Sequence, residues 1–222
     1  MIALAPPKVS VHFNRMVAYG ATGEHAGLEQ RVREQVAHLG ESARLLAMVQ
    51  PRLIVLAHTA TSALLGKEGE AELVARMERE HGMRFITAFG SVLAALAHLG
   101  IARVALGTPY DAASTAKSKA HLEANGIEVV SHGILDNVKN IYDETAARAR
   151  ELARRVDAPA AQAVFLSGLG MPTIATLQDM ERDLGKPVVS AAAAMMWNAL
   201  RIAGEHAPIA GFGRLLGERR AM

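Results

Sequence analysis

The sequence predicts an α/β protein made of two similar halves that face each other, each half an open parallel sheet flanked by helices. The first observation is that short apolar runs alternate with amphipathic helical patterns, which is typical of βαβ units. The second is the segment Ala163–Thr173, where an apolar run is followed by Ser167–Gly170 and then Pro172. This is the order of strand, glycine loop and helix start, and ligands lie at such strand ends in open α/β folds. Leu53–Ser62 repeats the plan as an apolar run before a polar loop.

The third observation is an internal duplication. Met77–Gly82 matches Met180–Gly185 at one constant offset, and Phe85–Ala88 then falls on Pro187–Ala191 with one residue of slack. The alternative is chance similarity between two amphipathic helices. The duplication divides the chain into a first half at 1–100, a second half at 101–206, and a C-terminal segment at 207–222 that is expected to pack back on the first half.

In the first half, Val9–Phe13 alternates apolar and polar residues and predicts a strand. From Gly27 to Gln50 the apolar positions step by three and four, which predicts one amphipathic helix before Pro51. The remaining elements are expected as strand, polar loop, helix, strand and helix: Leu53–Ala57, His58–Ser62, Glu70–Glu80, Arg84–Phe89 and the alanine-rich stretch to His98.

In the second half, Ile101–Gly107 and Ile127–Ser131 predict strands, and Asp111 is a suitable N-cap for a helix between them that runs to Asn125. Pro172 suits a first helical position, because its fixed φ is favourable and its missing N–H is not needed there. The helix after Asn140 carries the arginines at 148, 150, 154 and 155. A solvated helix face is favoured over an anion site for this run, since charged faces usually have that role.

Composition excludes several classes of function. The 222 residues contain no cysteine, which excludes disulfides, zinc ribbons and thiol nucleophiles. A net charge of +2 with few aromatic residues gives no argument for nucleic acid. No apolar run reaches the length of a membrane span, and the N-terminus is a poor signal peptide. We therefore expect a soluble cytoplasmic protein, with homo-oligomerisation left open.

Neither a metal nor a cofactor is predicted. The nine histidines show no metal-ligand spacing. The glycines of Ser167–Gly170 do not form a nucleotide-binding fingerprint.

The chain resembles the aspartate/glutamate racemase superfamily, and within it the branch of arylmalonate decarboxylases and maleate isomerases. The resemblance runs from about Val9 to the C-terminal end and depends on the order and spacing of several short segments. These are Val11–Met16, His58–Ser62, Val104–Tyr110, Phe165–Gly168, Leu184–Ser190 with Trp197, and Gly211–Leu215. The resemblance implies two pseudo-symmetric α/β halves with the active site in the cleft between them.

The resemblance also implies cofactor-independent chemistry at the carbon next to a carboxylate. Removal of a proton or CO2 there leaves an enediolate, whose charge must be met by donors already in place. By resemblance, Thr61, Ser62 and Tyr110 match the positions that hold carboxylate or enediolate oxygens. The alternative roles are helix capping for Thr61 and Ser62, and packing for Tyr110.

The chain departs from the family pattern at both cysteine positions. The residue that matches the first-half cysteine is Ala60, and the one that matches the second-half cysteine is Gly168. A two-thiol racemase and attack by a thiolate are therefore excluded, and a decarboxylase of the family type would lack its proton donor. Family members also complete a strand and a polar loop before the segment that matches Val9. We expect either a reading frame that starts late or a pocket built differently.

An enzyme with this sequence needs another acid or base. His58 is the first candidate, because it lies in the same loop as Ala60 and histidine titrates near neutrality; a structural role is the alternative. Tyr110 is the second catalytic candidate, whereas His132 and Asp111 are weaker ones and His12 has no clear role. The expected substrate-binding positions are Ala60, Thr61, Ser62, Ser167, Gly168, Leu169 and Gly170.

Three functions remain open at the level of the sequence. The favoured one is a cofactor-free isomerase or lyase that acts on a small mono- or dicarboxylate through a non-cysteine acid or base. The second is a hydrolase on the same scaffold, with Gly168 and Gly170 in an oxyanion hole and His58 activating water. The third is a non-catalytic protein that binds a carboxylate.

Overall fold

The computed structural model describes residues 2–17 and 27–217 of the chain. Its strands form two parallel sheets. The first pairs β1 (Leu53–Leu56) with β2 (Arg84–Thr87). The second has the order β4-β3-β5-β6, with bounds β3 Arg103–Thr108, β4 Glu128–Ile134, β5 Ala163–Leu166 and β6 Val188–Ser190. Apart from Val9–Phe13, the predicted strands are confirmed within a few residues.

Helices connect and cover these strands. Their bounds are α1 Leu28–Ala37, α2 Leu39–Ala47, α3 Thr59–His81, α4 Ala88–His98, α5 Ala112–Ala124, α6 Ala146–Val156, α7 Leu177–Leu184, α8 Ala191–Ile202 and α9 Arg214–Gly217. Short 3-10 helices occur at Ile2–Leu4, Ile141–Asp143 and Ile174–Thr176. Within residues 2–17 and 27–217, none of the helices combines the length and apolar character needed to cross a membrane.

The duplication predicted from the sequence is visible in matching hydrogen bonds. Glu78 Oε1 accepts from Phe85 N at 3.1 Å, and Glu181 Oε1 accepts from Val188 N at 3.0 Å. Between these partners the helices end at Gly82 and Gly185, both left-handed with φ of 63° and 68°. Because a left-handed C-terminal residue favours glycine, both helices stop at the same place. The two α/β units therefore share local chemistry as well as order.

The shared features continue into the next helix of each half. The side chain of Thr87 caps α4 by accepting from Gly90 N, and that of Ser190 caps α8 by accepting from Ala193 N. The two capped helices then pack against each other across the centre of the molecule. This contact joins the first half to the second.

Most buried apolar side chains belong to one large cluster around the four-stranded sheet, and Phe89 and Phe165 meet within it edge to face. A smaller cluster lies beside the two-stranded sheet and comprises Leu39, Ala43, Ile54, Leu56, Leu73, Met77 and Phe85. The first half therefore has much less core of its own.

No described strand pairs with β1 on the side opposite β2. Two cavities adjoin this outer edge. One of about 620 Å³ lies between β1, the extended segment Lys8–Asn14 and α8. The other, of about 780 Å³, lies between β1, α1 and α2 on one side and loops of the second half on the other.

The strand predicted at Val9–Phe13 is wrong. This segment has no regular secondary structure, because no described strand lies beside it to form a ladder. Its alternation instead reflects packing: Val9 and Val11 touch the large core, whereas Phe13 is 61% exposed.

Two helix predictions also need correction. The single helix expected over Gly27–Gln50 is broken at His38, whose φ of −99° and ψ of 5° leave the helical region, so that α1 and α2 are separate. The helix start expected at Pro172 is wrong as well. Met171 N bonds to Gly168 O and Thr173 N to Met171 O, so tight turns occupy this stretch and α7 begins only at Leu177.

The C-terminal segment makes its main contacts with the second half. Helix α9 packs on α8, and the backbone N–H of Arg214 donates to Glu181 on α7 at 2.8 Å. Leu215 and Leu216 are buried there. The expected packing of this segment against the first half stays a prediction, and the basic end of the predicted tail lies outside the described residues. The boundaries at residues 100 and 206 stay predictions.

Candidate active site

The larger cavity is a cleft between the two halves, at the ends of three strands. His58 follows β1, Tyr110 follows β3, and Leu169 and Gly170 follow β5. Helix α1 and the short helix Ile141–Asp143 form opposite walls. Carboxyl ends of parallel strands are the usual ligand position in open α/β sheets. Four of the nine predicted site residues thus line one cleft.

His58 is the N-cap residue of α3, and its ring Nδ1 lies 2.9 Å from Thr61 Oγ1. Burial and, to a smaller extent, the positive charge of Arg31 lower the pKa of His58 to about 4. The imidazole is therefore neutral at pH 7. Thr61 makes this contact from inside the first turn of α3, where it is 1% exposed.

Three hydroxyl groups from both halves meet beside His58. Ser167 Oγ donates to Thr59 Oγ1 at 3.2 Å, and Thr59 Oγ1 lies 3.4 Å from the Tyr110 hydroxyl. Burial raises the pKa of Tyr110, so its hydroxyl keeps its proton at neutral pH. Thr59 was missed in the sequence, although it directly follows His58 at the strand end, and that position was the signal that could have identified it.

Ala60, Thr61 and Ser62 form the first turn of α3 and are almost fully buried. No side chain caps this helix end, so helix capping does not account for Thr61 or Ser62. The side chain of Ser62 faces inward towards Glu70, where it contributes to lowering the pKa of that carboxyl. Of this turn and its N-cap residue, only His58 is among the described residues that line the cleft.

The loop Ser167–Gly170 is too tightly packed for a side chain at Gly168. Its φ is 93°, and a Cβ built there would lie 2.7 Å from Pro109 Cγ and 3.0 Å from Ile141 Cδ1. A Cβ on Gly170 would lie 3.0 Å from Ile141 Cγ2. The backbone at Gly168, which the resemblance matches to the second family cysteine, is thus shaped around glycine.

The charged side chains among the described residues of the cleft have one sign. Arg15 and Arg31 line it, and no Asp or Glu occurs among its described lining residues. The amide side chains of Asn14, Gln35 and Asn140 add polar groups. Clefts lined by one sign of charge concentrate ligands of the opposite sign. Neither Arg15 nor Arg31 is a predicted site residue. Arg15 lies just after the strand wrongly predicted at Val9–Phe13, and Arg31 lies within the helix predicted over Gly27–Gln50.

The weaker candidates lie elsewhere. Asp111 accepts from Ser114 N at 2.7 Å and caps α5, as expected of an N-cap residue. His132 is exposed on β4, and His12 is exposed beside Ser10. The arginines of α6 pair with acidic side chains at the surface, for example Arg154 with Asp183 at 2.6 Å. Over residues 2–17 and 27–217, no group of three or more potential metal ligands is present.

Comparison with known proteins identifies the family. A family model described as arylmalonate decarboxylase matches residues 6–216. The arylmalonate decarboxylase of Bordetella bronchiseptica is 31% identical over 183 residues, which is 80% of this chain and 76% of that protein. A maleate isomerase of Geobacillus stearothermophilus is 29% identical over 140 residues, which is 61% of this chain and 55% of that protein.

Solved structures confirm the predicted fold class. A crystal structure of arylmalonate decarboxylase has a TM-score of 0.77 at 29% identity and covers 83% of each chain. A maleate cis-trans isomerase of Nocardia farcinica with a covalently bound succinylcysteine intermediate has a TM-score of 0.86 at 23% identity, covering 97% of this chain and 89% of that one. The relatives are thus enzymes, decarboxylases and isomerases. Because the family model spans nearly the whole sequence, this chain belongs to the arylmalonate decarboxylase family, in the Asp/Glu racemase-like superfamily.

Proposed function

We propose that this protein is a thiol-free, cofactor-independent lyase or isomerase that acts at the α-carbon of a small carboxylate. The observation that carries the proposal is the charge of the cleft: Arg15 and Arg31 line it, its described lining residues include no acidic side chain, and His58 and Tyr110 face it uncharged. Guanidinium groups hold carboxylates well, and two of them suit a dicarboxylate.

Binding would place the substrate between the arginines and the first turn of α3. When the bond from the α-carbon to a carboxylate breaks, CO2 leaves and the bonding electron pair enters the remaining carboxylate as an enediolate. The protonated Tyr110 hydroxyl lines the cleft and can donate to this charge; behind it, Thr59 Oγ1 lies 3.4 Å away and accepts from the buried Ser167 hydroxyl. Donors aimed at a developing oxyanion in a dry site lower the barrier.

His58 would move the proton. In the free protein, burial and Arg31 keep its ring neutral. An anionic substrate beside Arg31 offsets the repulsion from that guanidinium and attracts the imidazolium, so binding raises the pKa of His58. The ring can then take a proton from solvent and deliver it to the α-carbon, which completes the exchange of CO2 for a proton.

The side chains favour decarboxylation over racemisation. A two-base racemase needs one proton-transferring group on each face of the α-carbon. Of the described residues that line the cleft, His58 alone is of a type that titrates near neutrality, and the raised pKa of Tyr110 makes that residue a poor base. Loss of CO2 requires no base to start the reaction, so one acid is sufficient.

The test is proton NMR in D2O with phenylmalonate, methylmalonate and maleate, and with aspartate and glutamate as amino-acid substrates. We expect loss of CO2 from a malonate with one deuterium at the α-carbon. His58→Gln should lower the rate about 100-fold or more, because general acid–base groups contribute at least that much. The matched control is His132→Gln, which removes an exposed histidine of the second half outside the cleft.

Other outcomes would change the assignment. Deuterium at the α-carbon without loss of CO2 would identify an isomerase or exchange enzyme. Bond cleavage without deuterium would point to the hydrolase. Unchanged spectra together with a malonate-dependent rise in melting temperature would leave only carboxylate binding. Equal rates in His58→Gln and the control would remove His58 from the mechanism.

A further inference from the structure

The proposed chemistry does not use the cavity of about 620 Å³ on the outer side of β1. This cavity is a slot between two extended stretches of backbone, β1 on one side and Lys8–Asn14 on the other. Apolar side chains line it, among them Leu46, Val49, Met195 and Ala199. Val49 is 50% exposed, although apolar patches on a protein surface usually mark a place where something binds.

Both extended walls of the slot have unused backbone hydrogen-bonding groups. Among the described strands, β1 pairs with β2 alone. Across the slot, the backbone N–H and C=O groups of Ser10–Asn14 make no hydrogen bond to another described residue. An unpaired strand edge is a template on which a further extended chain can pair. The slot therefore offers backbone hydrogen bonds to an extended segment.

The second half of the molecule shows what occupies the corresponding position there. Because the chain repeats its plan, β1 corresponds to β5 and β2 to β6. On the side opposite β6, β5 pairs in parallel with β3. Apart from Arg103, every residue of β3 is buried. By the same plan, the position beside β1 is that of a buried parallel strand.

Helices cover both faces of a strand placed in the slot. Ile54 and Leu56 of β1 belong to the small apolar cluster, together with residues of α2, which also lines the slot. Because side chains alternate along a strand, Leu53 and Val55 point to the other face, where α8 packs on β1 and lines the slot with Met195. A strand buried on both faces is a continuous apolar run. The slot therefore fits an apolar strand.

The described part of the chain does not supply this strand. Val9–Phe13 already forms a wall of the slot, and its alternation includes the polar residues Ser10 and His12. The described apolar strands are all placed in the two sheets. A segment that fills the slot must therefore come from another polypeptide.

We propose that the slot is a docking site for an extended apolar segment of a partner polypeptide, which adds to β1 as a parallel strand. The added strand takes the place beside β1 that β3 has beside β5. The slot and the cleft share Asn14, Val55 and Ala57 in their walls, so the docked segment also borders the candidate active site. Only this last consequence rests on the proposed function.

The experiment adds a synthetic peptide to the ¹⁵N-labelled full chain and follows the amides of β1 by NMR. The probe is a hexapeptide with the sequence of β3, Arg103–Thr108, placed between lysines that keep it soluble. With millimolar peptide we expect saturable shifts of the β1 amide signals. The slot-facing amides of β1 should exchange at least about tenfold more slowly, because a paired amide exchanges only when the strand opens.

A second form of the probe detects weak binding. The same hexapeptide sequence is joined to the N-terminus of the full chain through a flexible Gly/Ser linker, which gives an effective concentration in about the millimolar range. The slot-facing amides of β1 should be protected in this fusion without added peptide.

Two controls test whether the strand pairs in the slot. A peptide with proline in place of the third residue of β3 lacks a backbone donor and should not protect β1. Val49→Lys places a charge at the slot and should weaken peptide binding at least about tenfold. Its matched control is Leu45→Lys, since Leu45 is similarly exposed but does not line the slot, and it should bind as the wild type does.

Three results would overturn the proposal. The first is unchanged exchange of the β1 amides with both the free and the joined hexapeptide. The second is equal protection by the proline peptide, which would show unspecific adhesion. The third is protection of β1 that rises with protein concentration when no peptide is present, which would show that a second copy covers the edge. Absence of turnover in the wild-type chain would overturn the proposed function and leave this test intact, so the two failures are distinguishable.

Discussion

At the scale of single residues, Gly168 cannot be replaced by a residue with a side chain unless its neighbours move. Gly168 adopts a φ of 93°, and the space where a Cβ would lie is filled by Pro109 and Ile141. A cysteine introduced on this backbone would clash before its sulfur reached the cleft. The proposed mechanism therefore places the proton donor at another strand end, at His58, which follows β1.

Replacing Gly168 by alanine should destabilise the fold by about 2 kcal/mol or more, since both the positive φ and the overlap oppose a Cβ. Gly185→Ala is the control, because Gly185 has a similar φ of 68° but open space around it. Its cost should stay near 1 kcal/mol. Urea unfolding of both variants measures the difference, and equal losses would show that the contacts with Pro109 and Ile141 relax freely.

Some residues of the cleft are predictable from the sequence, and others are not. His58, Leu169 and Gly170 are predictable because they follow apolar strands, whose ends converge in parallel sheets, whereas Tyr110 is predicted from the family resemblance. Arg31 lies on a helix 27 residues before His58, and only the packing of α1 on α2 and α3 brings it to the cleft. Contacts of that kind leave no local pattern in the sequence.

At the scale of elements, the repeated strand–helix unit was predictable because its two copies use the same residues. The glutamates of Met77–Gly82 and Met180–Gly185 both accept the N–H of a residue seven positions on. The prediction failed where an element depends on a neighbour. Val9–Phe13 has a strand pattern without a described partner strand, and Pro172 lies in a stretch where the turn at Gly168 delays the helix.

The two matching glutamates should contribute unequally to the free energy of unfolding. Glu181 accepts from Val188 N and also from Arg214 N, so it ties β6 and α9 together, whereas Glu78 accepts from Phe85 N alone and pairs with exposed Arg84. Glu181→Ala should therefore destabilise the chain by about 2–3 kcal/mol and Glu78→Ala by about 1 kcal/mol. Urea unfolding provides the comparison, and a reversed order would mean that α9 contributes little to the fold.

At the scale of the whole molecule, the two halves have the same order of strands and helices but differ in the size of their sheets and apolar cores. The four-stranded sheet lies inside the large core, while the two-stranded sheet has the small cluster around Ile54 and Phe85 and two adjoining cavities. A two-stranded sheet has little stability alone, so the first half depends on its contact with the second through α4 and α8.

Native-state hydrogen exchange should show that the first half opens at a lower free energy than the second. Amides of β1 and β2, such as those of Val55 and Ile86, should exchange at least about tenfold faster than those of Ala105 in β3 and Phe165 in β5, because smaller cores open at lower free energy. The measurement is amide exchange followed by NMR at neutral pH without denaturant. Uniform protection across both sheets would show that the halves unfold as one unit.

The unpaired edge of β1 has a further consequence for how the purified protein behaves in concentrated solution. Leu53–Leu56 is apolar, and no described strand pairs with it on that side, so it is the kind of edge on which other chains add. Natural proteins blunt such edges with charge or proline, and here Arg52 and Pro51 stand at its beginning, with no charged residue inside the strand. Aggregation in concentrated solutions should therefore start at this edge, and colloidal stability rather than melting temperature would set how long the purified protein can be stored.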